Sequence, residues 1–220
     1  MDGEEILSGQ TVMVQEGRIT QVGPVDSVQI PQEALRIDGT GQYLMPGLVD
    51  MHVHIQFNND LLLFVANGVT SVRNMWGHTG KMLQLRLPDQ LALREQIEQG
   101  TLLGPTIYTA GPVMEGSPAF HPMADAIDSP EAARESVTWQ KAQGYDLIKV
   151  YEHLSPGVYQ AILGAAREHE IPVVGHVPLA VGLDKVLAGR QQTIEHLSGY
   201  IDPDTVAFII SKDRAAEYSG

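Results

Sequence analysis

The sequence predicts an α/β chain in which a short stretch of antiparallel strand precedes a (β/α) TIM-type barrel, incomplete at about six of eight units. Three observations lead there. From Leu44 onward, short apolar runs alternate with stretches that carry helix start and stop signals, the pattern of parallel strands joined by crossover helices. Before that point the chain is paced by turns. Such barrels also need about 250 residues, more than remain after Leu44.

Taken in order, Thr11-Val12-Met13-Val14, Gln15-Glu16-Gly17 and Arg18-Ile19-Thr20-Gln21-Val22-Gly23 read as a hairpin with glycine at its bend. Ile37-Asp38-Gly39-Thr40-Gly41 is a second tight turn, and this is too little sheet to be stable alone. Residues 1–43 are therefore set apart from residues 44–220. Candidate barrel strands are 48–54, 69–74, 106–110, 147–151, 173–177 and 193–196. Ser129-Pro130 and Ser155-Pro156 each place a capping serine before a proline at the first helical position, which has no N–H to orphan. Gly68, Gly100, Gly144 and Gly189 stand where helices should stop, in the left-handed cap that glycine tolerates. A last helical stretch, 205–212, simply ends, and the expectation is a chain truncated on its C-terminal side.

Composition narrows the chemistry. With 43% hydrophobic and 19% charged residues the chain is ordinary for a globular protein. Its net charge of −13 argues against a nucleic-acid backbone or an anionic membrane as partner. There is no cysteine, so any metal must be held by histidine, carboxylate or a modified side chain. No run approaches the ~18 apolar residues that span a bilayer. Met1-Asp2-Gly3-Glu4-Glu5 lacks the features of a signal peptide. Cytoplasm is the default compartment, with secretion or a periplasmic location left open.

The sharpest signal is Met45-Pro46-Gly47-Leu48-Val49-Asp50-Met51-His52-Val53-His54. A strand alternates faces with period two, so His52 and His54 point the same way and can share one cation. In Asp146-Leu147-Ile148-Lys149-Val150-Tyr151 a lysine lies within an apolar strand, where an ammonium is costly. Val173-Val174-Gly175-His176-Val177-Pro178 and Thr193-Ile194-Glu195-His196-Leu197 each bring one more histidine to a strand end. Singly, each has a bland explanation: a surface pair, a snorkelling lysine, a hydrogen-bonded core histidine. Together they fall on the C-terminal rim of strands one, four, five and six, where barrels assemble active sites from different strands.

These residues resemble the metal-dependent amidohydrolase superfamily, in the branch of imidazolonepropionase-related enzymes, Xaa-Pro and Xaa-Arg dipeptidases and ochratoxinase-type amidases. The resemblance runs from about Thr11 to Tyr200 and rests on Pro-Gly-Leu-Val-Asp-x-His-x-His, Gly-His-Val-Pro and Ile-Glu-His. It implies that residues 1–43 are part of a small β-sandwich domain. It implies that His52 and His54 hold one metal, that His176 and His196 hold a second, and that Lys149 is N-carboxylated and bridges both. A carbamate offers anionic oxygens where an ammonium would repel two cations. Zinc, two ions per complete site, suits such ligands, and the implied catalysis is attack on an amide or peptide-like C–N bond by a zinc-bridged hydroxide. The substrate class implied is a dipeptide or an N-acyl amino acid.

The family also uses an aspartate after strand eight as ligand and proton shuttle. Asp202 and Asp204 follow strand six and do not match it, so the chain as it stands is expected to be inactive without that group. Asp50 is expected to be structural. Two other readings stay open: a mononuclear cyclic-amide hydrolase with Lys149 unmodified, and a non-catalytic metal-binding relative. Tyr151 and His121 are the candidate substrate contacts, and His78 and His153 lie in loops on the same face. Met75, Trp76 and Met114 are expected to pack in the core, and His169 to lie on the surface. Open barrel edges lead to the expectation of a homo-oligomer.

Overall fold

The structure is a computed structural model that describes residues 6–77, 88–121 and 123–200. The chain divides into two compact units, Met1–Pro46 and Gly47–Gly220. In the first, β1 (Gln10–Gln15) pairs antiparallel with β2 (Arg18–Pro24). Glu16 and Gly17 between them both adopt positive φ, the tight turn whose twist matches a two-stranded hairpin.

In the second unit the order is β3 (Leu48–Val53), α1 (Asn58–Ala66), β4 (Val69–Asn74), α2 (Gln90–Glu98), β5 (Thr106–Thr109), β6 (Met114–Gly116) and β7 (Asp125–Ile127). There follow α3 (Pro130–Gln143), β8 (Ile148–Val150), α4 (Pro156–Glu168), β9 (Val173–Gly175), α5 (Leu183–Ala188) and β10 (Thr193–Ile194). All pairings in this unit are parallel, in the orders β3-β4-β5 and β10-β9-β8-β6-β7. A parallel bridge between Ala110 and Leu147 links the two sheets. The strands anticipated from sequence thus run in sequence order, β3-β4-β5-β8-β9-β10.

β6 and β7 were not anticipated. Past Ala110 the chain bends, and β6 continues the line of β5 along the far end of β8, through Met114 opposite Val150. Met114-Glu115-Gly116 and Asp125-Ala126-Ile127 each carry a carboxylate and form no apolar run of the kind that marks β8 and β9.

Serine caps form as expected: Ser129 accepts from the amide of Ala132, and Ser155 from that of Val158. Gly68, Gly100 and Gly144 take positive φ at helix ends. Gly189 does not; its φ is −73°, and the left-handed residue is Arg190. A Cβ there would stand 2.7 Å from Leu163 Cδ1, so that side chain would have to shift to admit one.

The helices cover the outer face in two apolar clusters. One gathers Val53, Leu61, Val72, Leu93 and Ile107; the other gathers Ile148, Val158, Ile162, Val173 and Val186 among others. A third and smaller cluster, Met75, Ala110, Leu147 and Val174, takes one residue from each of four neighbouring strand positions and joins the sheets on their inner side. No helix among the described residues is long and apolar enough to cross a membrane.

Candidate metal centre

The C-terminal ends of the parallel strands deliver the rings singled out in the sequence to one place. His52 lies in β3 and His54 just beyond it, with ring centroids 5.2 Å apart. His196 follows β10 and stands 4.5 Å from His52, and His176 follows β9 at 5.3 Å from His196. Tyr151, after β8, stacks on His176 at 4.3 Å and an interplanar angle of 18°. His121, from the β6–β7 connection, stands 5.7 Å from Tyr151 and 5.3 Å from Trp76, which in turn meets His54 at 5.3 Å. The rings therefore close a circuit: His52, His54, Trp76, His121, Tyr151, His176, His196 and back.

Lys149 belongs to the same place. It is 1% exposed, and its Nζ lies 5.9 Å from the Tyr151 ring centroid. Burial pulls its pKa down to about 8, Glu195 opposing and Arg73 assisting. Its charge in turn helps to depress His54, His176 and His196 alike, so all three face it. His54 is lowered to about 4, first by burial of its packed side and then by His52 and Lys149. Protons are unwelcome at His54, His176 and His196, which keeps the lone pairs of these imidazoles available.

Two of the imidazoles are oriented by carboxylates. His52 Nδ1 lies 2.7 Å from Glu195 Oε2, and His176 Nδ1 lies 3.1 Å from Glu152 Oε1. A carboxylate only accepts, so each Nδ1 carries the proton and each Nε2 presents a lone pair. Both Nε2 atoms are buried, and neither meets a hydrogen-bond partner in the structure. An unsatisfied buried acceptor costs about 1–3 kcal/mol, and a divalent cation is one ligand that satisfies an imidazole lone pair. Among the described residues no three His, Asp or Glu side chains already stand at metal-holding geometry. The rings converge, the cage is not closed around an ion, and the donors present fit one.

Local backbone explains the convergence. Gly175 has φ +128°, and a Cβ there would stand 2.2 Å from the Val150 carbonyl oxygen, so only glycine lets β9 approach β8 and release His176 at its end. His196 and Leu197 both take φ of 57°, turning the chain sharply after β10, where Ser198 Oγ accepts from the Val177 amide. Asp50 is structural, its Oδ1 accepting from the His52 amide.

Sequence reasoning missed several members of the site. Trp76, expected to pack in the core, instead lies between His54 and His121, half-buried, because it sits past the end of β4. Arg73 and Glu195 are 7% exposed and bonded to each other at 2.7 Å. Arg73 in a strand carries the same warning that singled out Lys149. Glu115 is fully buried, bonded to His153 Nδ1 at 2.8 Å and to the His121 amide at 2.9 Å. His169 is not merely on the surface: it closes α4 and bonds Thr138 on α3 at 2.9 Å. His78, Asp202, Asp204 and residues 205–212 lie outside the described residues.

Residues 43–212 match the model of the amidohydrolase family, which is most of the chain. The chain belongs to the amidohydrolase family. Its relatives within that family are diverse. It is 42% identical over 59 residues to an imidazolonepropionase of Rhizobium rhizogenes, which covers 26% of this chain and 14% of that protein. A crystal structure from Bifidobacterium longum, of a protein assigned as a prolidase, matches at 30% identity and a TM-score of 0.63, covering 78% of this chain and 45% of the other. A bottromycin amidohydrolase matches at 26% identity and a TM-score of 0.73, covering 92% and 44%. This amidohydrolase chain spans less than half the length of each, and the likeness makes its α/β fold one of TIM-barrel type.

Proposed function

We propose that this chain forms the metal-holding face of a hydrolase that cleaves an amide or peptide-like C–N bond in a small molecule of the dipeptide or N-acyl amino acid class. The observation that carries the reading is the pair of buried, partnerless Nε2 atoms of His52 and His176, converging with His54 and His196 around Lys149. His52 and His54 would hold one zinc ion, His176 and His196 a second, and a carboxylated Lys149 both. Bound zinc would supply an acidified water and polarise the scissile carbonyl.

Lys149 is suited to the modification. Its pKa of about 8 leaves a neutral amine fraction near neutrality far above that of a free lysine. That amine adds to carbon dioxide, forming an N–C bond and releasing one proton. The product is a carbamate whose single negative charge is shared by two oxygens. Tyr151 and His121, with Trp76 between His121 and His54, would line the substrate side. The indole N–H of Trp76 is a buried donor without a hydrogen-bond partner in the structure, fitted to a substrate oxygen. The similarity to a protein assigned as a prolidase supports the dipeptide class. A small-molecule substrate also suits a chain of net charge −13, which repels nucleic acid, and open barrel edges would make a second copy of the chain its partner.

The segment that is similar to an imidazolonepropionase supports a second reading, a mononuclear cyclic-amide hydrolase in which Lys149 is unmodified. One experiment separates the two. The chain is equilibrated with Zn2+ and 13C-bicarbonate, zinc is counted, and, because turnover is expected to need the strand-eight aspartate, binding of dipeptides, N-acyl amino acids and cyclic amides is followed. About two zinc ions per chain, a carbamate 13C resonance lost in Lys149→Met, and dipeptide binding are expected. About one ion, no carbamate and binding of a cyclic amide would favour the second reading. A chain that takes up no zinc contradicts both.

A further inference from the structure

Glu195 does more than neutralise Arg73. Its Oε2 lies 2.7 Å from His52 Nδ1, while its Oε1 accepts from Arg73 Nη2 at 2.7 Å and from Thr193 Oγ1 at 2.6 Å. Arg73 is fixed in turn, its Nε donating to the Met51 carbonyl at 2.7 Å and its Nη1 reaching Thr193 Oγ1 at 3.3 Å. Both side chains are only 9% exposed. One carboxylate, bonded through both oxygens, thus joins the start of the chain's histidine pair to β4 and β10. The contrast with His176 is instructive: its carboxylate, Glu152, is 41% exposed and the bond is longer.

We propose that Glu195, held by Arg73 and Thr193, is a positioning residue that locks His52 in the Nδ1–H tautomer and so dictates that Nε2 is the nitrogen offered to a divalent cation. The inference rests on the metal-dependent reading above. A neutral histidine without such a partner can place its proton on either nitrogen, and with the proton on Nε2 it has no lone pair to give. A carboxylate behind a metal-binding imidazole also fixes the ring's orientation and raises its basicity.

Glu195→Gln makes a sharp test. The Arg73 cation claims the one remaining oxygen, because the charge-assisted bond is the stronger. The amide NH2 is then turned toward His52 Nδ1 and selects the opposite tautomer. The full chain, metal-free and with 15N-labelled histidine, is examined by NMR at mildly alkaline pH, with His52→Gln used to assign the His52 signals. Affinity for Zn2+ alone is measured by competition with a chromophoric chelator. The wild type should show the Nδ1–H form at His52. Glu195→Gln should show the Nε2–H form there, leave His176 unchanged, and bind Zn2+ about 10–100-fold more weakly.

Retention of Nδ1–H at His52 in Glu195→Gln overturns the proposal, as does a Zn2+ affinity within about twofold of wild type. A purely structural staple would lower thermal stability without moving that tautomer. If Glu195→Gln does not fold, the double variant Arg73→Met/Glu195→Leu, which removes the acceptor facing Nδ1 together with its cation and strands no charge, decides in its place. An Nε2–H population at His52 then supports the proposal, and its absence overturns it. A wild-type chain that binds no Zn2+ refutes the metal reading, while the tautomer result still judges Glu195.

Discussion

At the scale of single residues, the centre works by making protons expensive. Lys149 and His54 are both held below their ordinary pKa values, of 10.5 and 6.5, chiefly by burial. Each therefore binds fewer protons folded than unfolded, so stability rises with pH across the gap between the two values. For Lys149 that window runs from about 8 to 10.5, and for His54 from about 4 to 6.5. Urea unfolding of the metal-free chain in carbon dioxide-free buffer should show stability climbing through both windows. The upper climb, on the order of a few kcal/mol because Lys149 is almost wholly enclosed, should vanish in Lys149→Met. The lower one should be shallower, since His54 is open to solvent on one side and water screens it. A flat profile above pH 8 would mean that Lys149 finds a carboxylate partner strong enough to offset its burial.

At the scale of elements, what places the rings is the end of each parallel strand, and β9 shows how narrow the tolerance is. Gly175→Ala puts a methyl group 2.2 Å from the Val150 carbonyl oxygen, at a φ that side chains rarely adopt. The expected cost is about 2–4 kcal/mol, read as a lowered denaturation midpoint, with His176 displaced from its stack on Tyr151. Much of this scale is legible in the sequence. Short apolar runs between helix signals mark β3, β4 and β9, serine before proline marks two helix starts, and histidines after apolar runs mark the rim. Other parts are not. β6 and β7 exist through pairing with β8 and with each other, a tertiary fact that their acid-bearing triplets, with no apolar run, do not encode. Trp76 and Glu115 owe their positions to how the β4 and β6 ends meet loops from elsewhere. Glu195 was visible beside His196, but its bond to a histidine 143 positions away was not.

At the scale of the molecule, residues from His52 to His196 form one ring circuit assembled from β3, β4, β8, β9, β10 and the β6–β7 connection. Sequence reasoning reached the four histidines and Lys149 because each departs from its apolar surroundings. It did not reach the Arg73–Glu195 pair that links β4 to the end of β10, because an arginine within a strand signals a buried charge but does not name a partner 122 positions away. The acidic balance of the chain favours the approach of cations. The central claim is that this circuit exists to hold metal ions, and anomalous diffraction at the zinc edge, from crystals grown with Zn2+, tests it most directly. The account requires two peaks inside the circuit, one beside His52 and His54 and one beside His176 and His196, with density extending beyond Lys149 Nζ between them. Zinc bound only outside the circuit, with Nε2 of His52 and of His176 still free, would contradict it.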